Sequence, residues 1–533
     1  MPAVQSSHVD VLIVGAGLSG IGAAHHLTTR LPGKTFAILE ARERLGGTWD
    51  LFRYPGVRSD SDMYTLGYSF RPWTAPQAIA DGDAILAYIR ETAESAGIDR
   101  AIRYRQRVES AAWSSEQARW TVEVADLATG ERVTQTCNFL LVCAGYYDYA
   151  AGYMPEFAGR ERFGGRIVHP QHWTPDVEYA GKRVVVIGSG ATAVTLVPEL
   201  AKQAAHVTML QRSPSYIMSR PRGDAIADWL RARIPERAAY AVTRWKNVLL
   251  GAAFYAYCRR YPEHAKRLLV GYVKRQLGDA VDVEPHFTPA YHPWDQRLCL
   301  VPDGDLFKAI REGRASVVTD HIDTFTETGI ALRSGTHLEA DLIVTATGLR
   351  LKFMGGVAFT VDGKRIEPSR ALVYKGMMIS DVPNHAFVTG YTNASWTLKC
   401  DLTSAYVCRL LEHMDANGFT SCVPRRDLSV REAPLIDFSS GYIQRAIDQL
   451  PKQGTVTPWR LRQNYAIDRL LLEHARVDDR AMEFSRFALE HHPGARGSAA
   501  RGRNQPSRSP RARSAMRGLR LSLRVPGSGG KRP

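Results

Sequence analysis

DVLIVGAGLSG occupies residues 10–20. Residues 11–14 form an unbroken apolar run, as in a strand buried on both faces, and pass at once into G-x-G-x-x-G. Gly15 permits the tight turn, Gly17 lets backbone approach a pyrophosphate, and Gly20 lets the following helix pack on the strand. IGAAHHLTTRL, residues 21–31, continues as that helix, with its first N–H groups and positive dipole end facing the phosphates. TFAILE then supplies a second strand that ends at Glu40, twenty residues beyond Gly20, where a carboxylate can accept hydrogen bonds from ribose hydroxyls. Strand, glycine loop, helix, strand and acid in register make a complete βαβ dinucleotide-binding unit.

Residues 183–213, RVVVIGSGATAVTLVPELAKQAAHVTMLQRS, repeat the pattern with one change. The loop is Gly188, Ser189, Gly190, Ala191, Thr192 and Ala193. Nineteen residues after Ala193, next to Gln211, Arg212 stands where the first unit has its acid. An acid there repels a ribose 2′-phosphate and an arginine pairs with it, so this unit favours NADPH over NADH. Two dinucleotide sites on one chain point to electron transfer between two cofactors, NADPH as hydride source and, most simply, FAD as acceptor. After Glu40, EARERLGGTWDLFRYPG carries Gly46 and Gly47, which permit close backbone approach on the flavin side.

The expected fold class is α/β, with two Rossmann-like domains. FLLVCAGYY (139–147) and DLIVTATG (341–348) read as crossings between them, which makes the FAD domain discontinuous and the NADPH domain an insertion. The expected boundaries are 8–150 and 351–493 for the two parts of the FAD domain, and 151–215 and 296–350 for those of the NADPH domain. Between the latter, 216–295 reads as a helical insertion covering the active site, from apolar residues at helical spacing in three segments. Its most apolar run, VLLGAAFYAYC at 248–258, is too short to span a bilayer and is expected as a buried helix, with contact to a membrane surface as the alternative. YTNASWTLKCDLTSAYVCRLL (391–411) reads as a loop entering a helix whose positive end faces the flavin; Lys399 within it is either near the flavin or solvent-facing.

The order G-x-G-x-x-G, G-G-x-W, F-x-G-x-x-x-H-x-x-x-W, G-x-G-x-x-A and A-T-G resembles the class B flavoprotein monooxygenases. FGGRIVHPQHW at 163–173 matches their Baeyer–Villiger fingerprint at Phe163, Gly165, His169 and Trp173; Thr174 departs slightly from the usual next residue. Within the family, GGTWDLFRYPGVRSDSDMYTLG, HPWDQRLCLV and GYTNASWTLK are similar to mycobacterial FAD-containing monooxygenases that activate ethionamide-type prodrugs. The resemblance implies insertion of one oxygen atom from O2 through a flavin peroxide, converting ketones to esters and oxygenating sulfides or thioamides. It implies Arg297 as the catalytic cation, held by Asp60, because a fixed positive charge stabilises the anions of this chemistry. It implies Gly15, Gly17, Ser19, Gly20, Glu40, Gly47, Thr48, Trp49, Asp60 and Val108 at FAD. It implies Arg58, Ser59, the loop from Gly188 to Ala193, Gln211 and Arg212 at NADPH. His169 is implied to set the position of the NADPH domain rather than to touch substrate.

Composition bounds the alternatives. The chain has 533 residues, 44% hydrophobic and 23% charged, as in a soluble globular protein of two or three domains. Its net charge of +15 is concentrated: residues 494–533 hold eleven Lys or Arg and no acid, leaving +4 for the remainder. That Gly-, Ser-, Pro- and Arg-rich tail is expected to be disordered. No aromatics interleave its arginines to stack on bases, so no nucleic-acid partner is expected. The seven cysteines are scattered without C-x-x-C, and no metal-ligand spacing occurs. With no signal peptide, a cytoplasmic location is expected, with peripheral membrane contact left open. Two other activities remain at this point: a flavin monooxygenase acting mainly on nitrogen or sulfur, and an oxidase-like NADPH:flavin reductase.

Overall fold

The computed structural model describes residues 7–486. The tail at 494–533 lies outside the described residues, as does the end of the second expected FAD-domain segment. Strand β1 (Ser7–Val14) is an interior strand of a nine-stranded sheet, parallel to β2 (Phe36–Leu39) on one side and to β6 (Arg132–Val142) on the other. Its Val11, Leu12 and Ile13 are fully buried, which is why the run is apolar without alternation. Strand β3 (Ile102–Arg103) extends the sheet beyond β2, and β4 (Gln106–Ser114) and β5 (Arg119–Asp126) extend it antiparallel from β6.

Helix α1 (Leu18–Arg30) packs close to β1 because its glycines leave no side chain between. A Cβ on Gly20 would lie 1.9 Å from the Gly15 carbonyl oxygen, and one on Gly22 2.9 Å from the Tyr68 ring. Gly15 itself adopts φ +102°, a conformation that L side chains rarely adopt.

The chain then leaves this sheet. β7 (Tyr147–Gly152) leads to β8 (Arg166–Val168), the edge of a second sheet that is parallel throughout. There β9 (Arg183–Ile187), helix α2 (Ala191–Leu200) and β10 (His206–Gln211) form the second glycine-loop unit. β13 (Ala315–Thr319) lies outside β10, and a strand at Leu342–Thr345 fills the gap between β9 and β8. The return strand Leu349–Leu351 pairs antiparallel with β7, so the two crossings run side by side. The chain then re-enters the first sheet through Ala358–Val361, beside β4, and His385–Phe387, beside β6. A discontinuous α/β architecture with one dinucleotide unit inserted in the other is therefore observed.

The expected helices are present as α3 (Ala225–Arg231), α4 (Glu236–Arg260) and α5 (Pro262–Leu277). Before them, β11 (Ile217–Arg220) pairs with β12 (Cys299–Pro302), stitching both ends of the helical segment together. One expectation fails. The apolar run at 248–258 is not a buried helix: within it only Val248 and Cys258 are buried, and Leu249 and Leu250 point outward. The inward contacts of α4 come from its polar side, where Arg244 donates to the Tyr64 and Gly67 carbonyls at 2.7 Å each and pairs with Asp401 at 3.5 Å. Helix α6 (Trp396–Asn417) lies against α1 and is buried over most of its length. Among the described residues no helix is long and apolar enough to cross a membrane.

Candidate active site

Both glycine loops open onto one cavity of about 520 Å³. Gly15, Gly17, Ser19, Glu40, Gly47, Thr48, Trp49 and Val108 line it from the first unit, and Ala191 and Thr192 from the start of α2. Arg58, Ser59, Asp60 and Arg297 line it between the two. Gly20 lies beneath the turn and takes part through packing alone.

The first loop fits an adenine dinucleotide such as FAD. The Gly46 N–H donates to the Ala16 carbonyl at 2.9 Å, and a Cβ on Gly47 would lie 3.1 Å from the Gly17 Cα. Two glycine turns therefore touch, leaving bare backbone where a pyrophosphate would rest. Glu40 is buried and accepts from the Ala16 N–H at 2.7 Å and the Arg42 N–H at 2.9 Å. Burial pushes its carboxyl above the usual range, while the two N–H donors pull it back. Ser19 accepts from the Trp396 indole N–H at 2.8 Å, which seats α6 on α1 beside the cavity. Residues Trp396, Thr397, Leu398 and Lys399 give the first turn of α6 no acid, so its positive end keeps its field.

The second loop fits a phosphorylated nicotinamide dinucleotide. Gly188 has φ +139°, and a Cβ there would lie 2.3 Å from the Ala346 carbonyl oxygen. Gly190 has nothing within 4 Å of its Cβ position, which leaves room for phosphate above the N–H groups of α2. Ala193 is buried under the loop, and the Ser189 hydroxyl donates to the Ser213 carbonyl at 3.0 Å. Arg212 is exposed at the end of β10, with no ion pair or hydrogen bond among the described residues. Gln211 differs from the expectation: its amide donates to the His286 carbonyl at 2.7 Å and to Thr319 at 2.9 Å, so its side chain is committed inside the protein. Arg58, which lines the cavity, donates to Asp305 at 2.6 Å, while its buried Nη2 has no partner. An unsatisfied buried guanidinium nitrogen suits an anionic ligand.

Arg297 Nη2 lies 2.9 Å from Asp60 Oδ2. Asp60 holds the guanidinium even further above neutrality than arginine's ordinary value, and burial opposes this only in part. Tyr146 and Tyr147, with hydroxyls 3.3 Å apart, stand near the pair, and burial pushes both phenols up. Tyr149, at 3.0 Å from Thr48, is pushed up to about 12 for the same reason. In sequence, Tyr146 and Tyr147 read only as the end of a crossing. The aromatic run directly after an apolar strand was the available signal. Lys399 is neither solvent-facing nor a free cation: it is buried and donates to Asp468 at 2.7 Å.

The fingerprint segment does not line the cavity. Phe163 is buried in one core of the second sheet and Trp173 in another. Gly165 is required because a Cβ would lie 2.6 Å from the Asp341 carbonyl oxygen. His169 meets the paired crossings. Its Nε2–H donates to the Gly348 carbonyl at 3.1 Å, and its Nδ1 accepts from the Gln171 N–H at 3.2 Å. Gly152 lies so close that a Cβ would be 2.0 Å from the ring. Burial holds the imidazole below its ordinary value, hence neutral.

Known proteins agree with this geometry. The flavin-binding monooxygenase-like family matches over residues 72–389, and the NAD(P)-binding Rossmann-like domain over residues 13–75. The chain is 56% identical over 484 residues to the FAD-containing monooxygenase EthA of Mycobacterium tuberculosis (strain CDC 1551 / Oshkosh), covering 90% of this chain and 99% of that protein. It is 51% identical over 484 residues to EthA of Mycolicibacterium smegmatis, with 90% and 98% covered. Among solved structures, an oxidized steroid monooxygenase bound to NADP superposes with TM-score 0.70 at 24% identity, covering 90% of this chain and 100% of that one. OTEMO in complex with FAD and NADP gives 0.65 at 22%, covering 79% and 87%. These two likenesses speak to the fold.

Proposed function

The chain belongs to the flavin-binding monooxygenase-like family and is an NADPH-dependent FAD-containing monooxygenase, and from that premise we propose that it converts ketones to esters and oxygenates the sulfur of sulfides and thioamides. The overall balance is ketone, O2, NADPH and a proton giving ester, NADP⁺ and water. Bound FAD, reduced by NADPH, supplies the activation of O2. The protein's part is to hold charge and exclude water. The carrying observation is the Arg297–Asp60 pair at 2.9 Å, in the cavity shared by both glycine loops.

A ketone attacked at carbon places a full negative charge on its former carbonyl oxygen. Arg297 has N–H donors beyond the one that faces Asp60, and these can hold that oxygen without reorganisation. Asp60 fixes the plane of the guanidinium and offsets its desolvation. Tyr146, Tyr147 and Trp396 wall the site against water. Sulfur needs no such anion, so sulfide and thioamide oxygenation depends less on Arg297. At the second loop, Arg212 meets the 2′-phosphate. His169 ties the NADPH-side segment to both crossings and so sets the angle at which coenzyme is presented.

The test is product analysis under ¹⁸O-labelled O2, with a simple ketone and an aryl methyl sulfide supplied separately. One labelled oxygen in the ester and one in the sulfoxide are expected. Labelled sulfoxide without ester would remove the ketone half of the reading. NADPH consumption with neither product would reduce the protein to an oxidase.

A further inference from the structure

Seven of the twelve exposed large hydrophobic side chains among the described residues fall within residues 225–278, on α3, α4 and α5 or, for Tyr261, at the junction of α4 and α5. On α4 every exposed position between 238 and 256 is Ala, Val, Leu or Gly. Val242, Leu249 and Leu250 each keep half or more of their surface open, as do Ile226 and Trp229 on α3. This uncharged face runs for about 27 Å at the ordinary helical rise. Soluble surfaces scatter single apolar residues; a continuous face of this size marks something it contacts.

Charge identifies the contact. Residues 225–278 carry eleven Lys or Arg and three Asp or Glu, although residues 1–493 as a whole carry only +4. The rest of that body is therefore net negative. Arg237 stands at one end of the apolar face and Arg259 and Arg260 at the other, all exposed. Arg233 lies over the Trp229 ring at 4.5 Å and Arg260 over Tyr261 at 5.1 Å. Apolar stripe, basic rim and arginine-backed Trp and Tyr are what a helix lying in the plane of an anionic lipid surface requires.

A second cavity, of about 250 Å³, begins at this face. Ile226, Lys246 and Leu250 line its outer part, and Asp62, Ile79 and Leu300 its inner part. Leu300 also lines the cofactor cavity, beside Asp60 and Ser61.

We propose that α3–α5 dock on an anionic lipid bilayer and that the Ile226–Leu250 cavity passes lipid-dissolved substrate towards Leu300 and Arg297. The passage rests on the monooxygenase reading; the docking does not. A second copy of the chain is disfavoured as occupant because the two basic rims would repel. Residues 494–533 are disfavoured because they carry eleven basic residues and no acid.

The test is co-sedimentation of full-length, FAD-loaded protein with phosphatidylcholine vesicles, with and without phosphatidylglycerol. Binding is expected only with phosphatidylglycerol, and it should weaken with added salt. Leu249→Asp should lower the vesicle-bound partition at least roughly tenfold, since one leucine is lost from the interface. Arg237→Glu with Arg260→Glu should lower it by a similar factor or more. Turnover of a water-soluble sulfide should be unchanged in Leu249→Asp. Undiminished binding of Leu249→Asp would overturn the proposal and assign lipid contact to another segment. So would a lipid-free dimer that Leu249→Asp dissociates, which would make a second copy the occupant. Failure of the oxygenation reading would appear instead in the labelled-oxygen products.

Discussion

Replacing Arg297 by alanine should divide the reaction in two. The guanidinium lies 2.9 Å from Asp60, and the two side chains keep 36% and 34% of their surface open. Although desolvated in part, the pair stays about a third open to the cavity, so its contribution to folding is on the order of 1 kcal/mol. The variant should therefore fold and take up FAD, whose glycine turns and Glu40 do not touch Arg297. Catalysis should suffer far more. The lost contact is a charge-assisted hydrogen bond to an oxygen that becomes anionic only during the reaction, worth about 3–4 kcal/mol, or a hundred- to a thousandfold in ester formation. Stopped-flow spectra should still show flavin reduction by NADPH, slowed far less than ester formation, while the oxygen consumed is recovered as hydrogen peroxide. Asp60→Asn should lose less, because the arginine stays charged without its partner and loses only its orientation. Sulfoxide formation should fall less than ester formation in both variants. If Arg297→Ala yields ester at the wild-type ratio per NADPH, the pair is not the oxyanion site and the argument is refuted.

Arg212→Ala should weaken NADPH by roughly ten- to a hundredfold, the worth of one hydrogen bond to a charged group, and leave NADH unaffected; equal losses in the two titrations would mean that Arg212 does not read the phosphate. Gly20→Ala and Gly190→Ala should separate packing from approach. The first sets a methyl group 1.9 Å from the Gly15 oxygen and should cost about 3 kcal/mol, with loss of bound FAD, whereas the second meets nothing within 4 Å and should keep its melting temperature while binding NADPH poorly. His169 is neutral in the fold and holds the Gln171 N–H through Nδ1, so protonation breaks that contact. Its folded-state value lies below the unfolded one near 6.5, so the stability it contributes is complete above that pH and declines as pH falls through it. His169→Gln should therefore show a shallower fall of melting temperature between neutral and mildly acidic pH than wild type.

The dinucleotide units were legible because their glycines answer to hard sterics. A positive φ at Gly15 and a 1.9 Å approach at Gly20 admit no other residue, so spacing alone carries the geometry. The position of Arg212 was legible for a related reason: strand length fixes where the second strand ends. Gln211 was not, since nothing in sequence tells whether an amide at that end turns to the loop or to His286 and Thr319. Tyr146 and Tyr147 were hidden by their role as linker, and only the fold brings that linker to Arg297. The run at 248–258 misled because apolar periodicity reports which residues share a face and not what the face meets. In α4 the buried side is built around Arg244 and the open side around leucines, the reverse of the usual assumption.

The side-by-side pairing of Gly152 with Leu349 means that the NADPH-binding segment begins and ends at neighbouring points. Such a segment is a cassette. A short linker could join its two ends without unpairing a strand of the host sheet, but an exchanged cassette would have to restore the contacts that Arg244, Arg297 and Asp305 make with the host. If Arg212 reads the 2′-phosphate as proposed, coenzyme preference lies inside the cassette, apart from the flavin-side glycine turns and Glu40 outside it. On that proposal, selection can retune which reductant the enzyme draws on without altering the flavin-side glycine turns.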